Sequence, residues 1–281
     1  MRIGYDLLYL VPGVSGGVEV YALALIDAIA RLYPDNQHLV FLNATTAGRG
    51  LFQRANVLEV HCPFPGENRC LRYLWQQFVL PLQASAWRLD VLHAPSYTGP
   101  LFCPCPWVVT VPDVNFEDQN VGMPATRRIP LSFFSRRSAR RAGHVITISR
   151  ASKCEIVRKL GIDAGKITVV HLGPGQISRM AAVPAGCGPE GHGINAPYIT
   201  AFAGGGNPHK NLARLLSAFL KICSDHEEKL VLIGRIPRRI RQQRILDHPK
   251  IITLGHLPSA EIGPLIAGSR LFVVQSTYEG F

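Results

Sequence analysis

Short apolar, β-branched runs alternate with helical patterns along most of the chain. The runs predict strands at Arg2–Leu8, Leu39–Leu42, Val57–His61, Val91–His93, Trp107–Val111, Val145–Ser149 and Ile167–His171. Between the first two, Val18, Tyr21, Leu25, Ala28, Ile29 and Leu32 recur at helical spacing and form one apolar face. Leu71–Ala86 and Ile129–Ala142 read as further helices. Ser149 is placed to cap a helix over Arg150–Leu160, because its hydroxyl can accept from a first-turn amide. Gly161 is placed to end it. Strands alternating with helices imply a parallel sheet covered on both faces.

From Gly173 to Pro197 the period lapses into Gly and Pro, as a linker does. The rhythm then resumes with Tyr198–Ala203, helix Leu212–Cys223, Lys229–Ile233, helix Arg238–Leu246, Ile251–Leu254 and helix Ala260–Gly268. A strand that reads as buried follows over Arg270–Gln275. The fold class is therefore α/β with two Rossmann-like domains, residues 1–173 and 198–281, joined by a linker over 174–197. A cleft between such halves is the default place for a ligand.

Composition narrows the setting. With 281 residues, 47% of them apolar, the chain can bury a sizeable core. No apolar run approaches the ~18 residues of a membrane span, and the opening Met1–Asp6 lacks a secretory leader's apolar stretch. These features point to a cytoplasmic protein, at most peripheral at the inner face of a membrane. The net charge of +11 favours phosphates, nucleotides or anionic lipid. Nucleic acid is disfavoured, since no recognition module or aromatic stacking platform accompanies the charge. The seven cysteines are odd in number and scattered, and Cys103-Pro104-Cys105 leaves too few residues between its thiols for a zinc or redox motif. No metal is expected.

Candidate chemistry sits in two glycine-rich strand-to-helix loops. Gly13-Val14-Ser15-Gly16-Gly17-Val18-Glu19 follows the first strand; such a loop lets backbone amides approach an anion, although a tight turn without a ligand explains it equally well. Ala203–Asn211 repeats the device around Gly204, Gly205 and Gly206, and adds Lys210 at the helix entrance. The helix dipole disfavours a cation there, which argues for a bound anion over an idle, solvated lysine. Two arginine clusters stand out, Arg127 to Arg141 and Arg235 to Arg244. The first is interleaved with Ile129, Leu131, Phe133 and Phe134, so it could meet anionic lipid or a phosphorylated acceptor; a solvated face is the ordinary alternative. His93, His144 and His171 at strand ends read as structural.

Taken in order, several segments resemble the retaining family-four glycosyltransferases with the GT-B fold. They are Met1–Asp6, Gly16–Tyr21, His144–Lys153, Ile167–Gly173, Asn207–Leu212, Leu230–Gly234, Leu254–Pro258 and Tyr278–Phe281. The resemblance implies transfer of a hexose such as mannose from a nucleotide sugar to a glycan or lipid-linked acceptor, with retention and without a metal. It implies that Gly16 and Gly17 approach donor phosphates or acceptor through their amides. Gly205, Lys210 and Arg235 would lie on the nucleotide. Lys210 would neutralise the leaving diphosphate, and Glu279 would hydrogen-bond the sugar hydroxyls.

Two departures qualify it. The family's His-Asp pair after the fifth strand is here Pro112-Asp113, leaving Asp113 as the carboxylate without the imidazole. The partner of Glu279 in the family's Glu-x7-Glu pattern would fall at 287. The second domain is thus expected to be incomplete and the chain as given to be impaired. The rival reading is a non-catalytic homologue that keeps the fold and the nucleotide.

Overall fold

In the computed structural model, which describes residues 1–118, 123–173, 188–204, 208–242 and 244–280, every strand pairing is parallel. The chain packs as two units, one comprising Met1–Asp118, Met123–Gly173 and Gly280–Phe281, the other Pro174–Glu279.

The first unit runs β1 (Arg2–Leu7), α1 (Gly17–Leu32), β2 (Gln37–Asn43), β3 (Val57–Cys62), α2 (Arg69–Leu74), α3 (Leu80–Ala86), β4 (Val91–Ala94), β5 (Trp107–Thr110), α4 (Ala125–Arg141), β6 (His144–Thr147), α5 (Arg150–Glu155) and β7 (Ile167–Val169). Its sheet has the order β3-β2-β1-β4-β5-β6-β7. The chain builds one way from β1, then crosses to β4 and builds the other way. That reversal opens a crevice over the carboxyl ends of β1 and β4, where ligands of such sheets bind.

Helix details follow the sequence with instructive shifts. The stripe of α1 that is fully buried is Ala22, Ile26 and Ala30, while Leu32 of the predicted face is exposed. The small alanines let the backbone approach the sheet, so the larger residues flank the contact. Ser149 accepts from the Ser152 amide and Gly161 is left-handed (φ 65°), as a cap and a stop should be. The predicted helices at 71–86 and 150–160 each contain a π-helical turn, Trp75–Val79 and Ile156–Leu160. In the first, the Leu80 amide reaches back to the Trp75 carbonyl and Pro81 follows without an amide to continue the ladder. The extra residue per turn aims Gln76 into the interior, where it is 2% exposed.

The second unit runs β8 (Tyr198–Phe202), α6 (Leu212–Ile222), β9 (Lys229–Ile233), α7 (Arg238–Arg241), β10 (Ile251–Gly255), α8 (Ser259–Ala267) and β11 (Leu271–Val273), in the sheet order β10-β9-β8-β11. Leu212, Leu215, Leu216 and Phe219 bury one face of α6, each contributing roughly 1.5–3 kcal/mol of transfer free energy. The reversal here falls between β8 and β11. Ile194 lies in this unit's core with Tyr198, Val231, Ile233 and Leu265. The strand read as buried over Arg270–Gln275 is shorter, and its Leu271 is 63% exposed. An edge position, paired to β8 alone, explains this. The helix predicted over Arg238–Leu246 is reduced to α7 and a 3-10 turn at Arg244–Asp247, with Ile240 its buried apolar anchor.

Candidate functional site

In the second unit Lys210 and Glu279 meet at the β8–β11 reversal. Pro208–Lys210 forms one 3-10 turn before α6, and left-handed Asn211 (φ 55°) joins them. Gly204 also has positive φ (76°), and the stem of Lys210 packs so closely on it that no side chain fits there. The segment after β11 is tied to this loop. The Thr277 amide donates to the His209 carbonyl (2.8 Å), and Asn211 Nδ2 to the Gln275 carbonyl (3.2 Å). These bonds place Glu279 against Lys210, whose Nζ donates to Oε1 at 2.6 Å. Partial burial alone would raise the Glu279 pKa; hydrogen bonds from Lys210 and Ser276 and the charges of Lys210 and His209 outweigh it and hold it below the usual value. The carboxylate thus supplies a negative partner for a cation that the dipole of α6 disfavours.

Arg235 follows β9 and is exposed. With Ile236, Arg238, Arg241 and Gln242 it lines a cavity of about 520 Å³ whose lining does not include Lys210 or Glu279. Gly205 lies outside the described residues.

In the first unit Gly16 caps α1 with a positive φ (65°) and Gly17 begins the helix. A Cβ at either would meet nothing within 4 Å, so the loop is open. Its Gly13 amide donates to the Glu19 carboxylate (3.0 Å). Asp113 accepts from Tyr97 OH and from the Asn115 amide, both at 3.1 Å. Gly280 packs on it: an added Cβ would lie 2.9 Å from Asp113 Cβ and 3.2 Å from the Pro112 carbonyl. The Gly280 carbonyl in turn accepts from Ser149 Oγ (2.6 Å) and Ser152 Oγ (2.7 Å). Pro112 is buried.

Sequence reasoning missed the interior of the β1–β4 crevice. Asp6, on β1, is 1% exposed and accepts from Gln76 Nε2 (2.5 Å) and from the Leu8 amide (3.2 Å). Burial pushes its pKa up to about 6, against the lowering effect of those bonds and of the Arg72 charge. Its signal was a carboxylate inside an apolar strand at the sheet's reversal. His93 on β4 contacts Thr110 Oγ1 at 2.8 Å, and Tyr21 OH reaches the same oxygen at 3.1 Å. Burial lowers the His93 pKa to about 4, so the ring is neutral.

Among the described residues, no group of three or more His, Cys, Asp or Glu is placed to hold a metal ion. No helix among them is long and apolar enough to cross a membrane.

A parallel sheet in each unit, with polar residues gathered at each reversal point, is the architecture of the GT-B glycosyltransferases. The sequence pattern of Glycosyltransferase Family 4 matches residues 15–173, more than half of the chain, and the protein belongs to that family. Among solved structures it is similar to HepE from Anabaena, crystallised with UDP and glucose, at 22% identity and a TM-score of 0.68 over 99% of this chain and 75% of that one. A glycosyltransferase from Rickettsia africae is similar at 14% identity and a TM-score of 0.62, over 98% of this chain and 73% of that one. An E. coli trehalose-6-phosphate protein bound with UDP-2-fluoro glucose is similar at 14% identity and 0.64, over 100% and 79%. No curated protein matches the sequence significantly.

Proposed function

We propose that the protein transfers a hexosyl group from a nucleotide sugar to a glycan or lipid-linked acceptor, with retention of configuration and without a metal. The observation that carries this reading is the Lys210–Glu279 pair at the carboxyl ends of β8 and β11. As the bond to the diphosphate breaks, negative charge grows on the leaving oxygen. An ammonium already fixed beside the first amides of α6 stabilises that charge without reorganising, the arrangement that lowers barriers most effectively. Glu279, held ionised, accepts hydrogen bonds from the sugar hydroxyls and orients the ring. Gly205 and Arg235 add backbone and charge contacts to the nucleotide. On the first unit, Gly16 and Gly17 offer amides, and Asp113 is the carboxylate assigned to the transferred sugar. Departure and attack on one face give retention. The ligands bound to HepE and the E. coli protein make a UDP-hexose the first donor to test, with a mannosyl donor second.

A lipid-linked acceptor fits a peripheral membrane position. Leu74, Phe78 and Leu82 stand 55%, 68% and 71% exposed along one helical stretch. Tyr73 of that stretch stacks on Phe134 of arginine-rich α4 (4.4 Å), which puts apolar and basic surface side by side, as anionic lipid requires.

The test is release of nucleoside diphosphate from UDP-glucose and GDP-mannose, with UDP affinity measured by calorimetry. The reading requires micromolar to millimolar donor binding that Lys210→Ala weakens at least tenfold; a wild-type chain without affinity for either nucleotide would sink it. The buried Pro112, where the family has a histidine, favours a second reading in which the nucleotide is bound and no sugar is moved. Tight UDP binding with no turnover of any donor would establish that alternative.

A further inference from the structure

A second polar cluster lies wholly within the first unit, around the β1–β4 crevice. Gln76, in the π-helical turn after α2, bonds both Asp6 and the Thr98 carbonyl (3.1 Å). Arg72 sits one turn earlier, near enough for its charge to act on Asp6 and on the Tyr9 hydroxyl. Its guanidinium lies over the Tyr73 ring, 4.5 Å from the centroid, and Tyr73 stacks on Phe134 at 14° between planes. This joint fastens α2 to α4, and the charges of Arg69 and Arg72 on α2 act on Arg127 in the first turn of α4. Burial first, then the charges of Arg69 and Arg72, lower the Arg127 pKa.

Three guanidiniums gathered in this way repel one another. Among the described residues none of the three forms an ion pair. Arg72 Nε is buried with no hydrogen-bond partner, a donor that costs free energy unless something accepts from it. Other arginines of the same helix show the contrast. Arg136 reaches Glu117 (3.6 Å) and the Lys159 carbonyl (2.9 Å), and Arg140 the Leu160 carbonyl (3.5 Å). Protein groups satisfy those; Arg69 and Arg127 have no carboxylate in ion-pair range among the described residues, and Arg72 acts on Asp6 only through its field.

We propose that Arg69, Arg72 and Arg127 form a phosphate-binding site on the acceptor side, and that the acceptor is a phosphorylated saccharide whose phosphate or diphosphate they hold. The planar guanidinium fork matches phosphate oxygens in pairs, which a lysine cluster would not. That the phosphate belongs to an acceptor rests on the glycosyl-transfer reading above; the site itself does not.

The probe is inorganic pyrophosphate, titrated calorimetrically into the full chain with UDP present in excess. Arg127→Gln and Arg69→Gln, both at exposed positions, should each weaken pyrophosphate about tenfold or more, the worth of a charge-assisted bond, with UDP affinity unchanged. Arg72→Gln should do the same, and Arg141→Gln, beyond the cluster, should do nothing. Pyrophosphate binding that survives Arg127→Gln and Arg69→Gln, or that falls only in Lys210→Ala, overturns the site. Two further probes identify the source, a hexose 1-phosphate and a detergent-dispersed prenyl diphosphate. Arginine-dependent binding of the first marks a soluble acceptor and of the second a lipid-linked one; if neither binds, the acceptor assignment fails. Loss of UDP affinity and turnover in the wild type would defeat the transferase reading while leaving the pyrophosphate result to stand or fall by itself.

Discussion

In the first unit β1 leads through Gly13–Gly17 into α1, whose first turn carries Glu19; in the second, β8 leads past Gly204 to α6, whose entrance carries Lys210. The glycines are alike and the charges opposite. Glu19 suits the positive end of its helix and accepts from the Gly13 amide, so that loop is complete within itself. Lys210 opposes its helix dipole and is held there by Glu279, from the far side of the sheet reversal. A glycine-rich loop therefore does not by itself mark an anion site; the sign of the charge at the helix entrance is what separates the two loops. On this criterion Lys210 is a stronger candidate than Gly16 or Gly17.

The comparison breaks most visibly at the glycines. Gly204→Ala places a methyl group on the Lys210 stem at a φ of 76°, combining left-handed strain with overpacking. The expected cost is roughly 2–5 kcal/mol, the sum of those two effects, read from urea unfolding. Gly16→Ala meets no neighbour, so it should lose roughly 1–3 kcal/mol from backbone strain alone. Equal losses at the two positions would mean that the Lys210 contact does not define the second loop.

Two carboxylates, one buried and one exposed, sharpen the contrast. At its own reversal point the first unit raises the pKa of Asp6 to about 6, where the second lowers that of Glu279. A folded-state pKa above the unfolded value near 4 means that the native protein binds the extra proton between those pH values. Stability should fall by about 3 kcal/mol as pH rises from about 4 to about 6, and stay lower above it. Asp6→Asn should flatten that part of the profile, a change measured by chemical denaturation across pH 4–7. An unchanged slope would show that Asp6 is not the titrating group.

Lys210→Ala acts on the opposite shift. Without the ammonium the Glu279 pKa should rise, followed by carbon-13 NMR of its carboxyl group. Donor affinity should fall about tenfold, near 1.4 kcal/mol. Glu19→Gln should leave donor affinity within a factor of about two, since its carboxylate serves its own loop. A loss as large as that of Lys210→Ala would erase the distinction drawn between the loops.

Local signals made much of this legible. Alternating periods gave the strands and helices, Ser149 and Gly161 bounded a helix, and the cation at the entrance of α6 singled out Lys210 as a candidate. What stayed hidden depends on groups distant in sequence. Asp6 and Gln76 are 70 positions apart and meet because a π-helical turn before Pro81 rotates the glutamine inward. The arginine cluster depends on Tyr73 stacking on Phe134, a contact between two helices that no periodicity specifies. Likewise the apolar run at Leu271–Val273 reads as core, yet its edge position leaves it exposed.

The smallest expected effect is the most discriminating for the first loop. Gly17 begins α1 with an ordinary negative φ, and a Cβ there would meet nothing within 4 Å. Replacing it with alanine restricts the unfolded chain and favours the helix, so Gly17→Ala should stabilise the protein by roughly 0.4–1 kcal/mol. The added methyl group also sits where a phosphate or an acceptor hydroxyl would approach the amide. If the loop only turns the chain, thermal midpoint rises and turnover is unchanged. If its amides contact the reacting molecules, the midpoint still rises but the acceptor or donor KM increases. That split between stability and KM separates a complete, self-satisfied turn from a second binding loop, which the glycine pattern alone leaves equal.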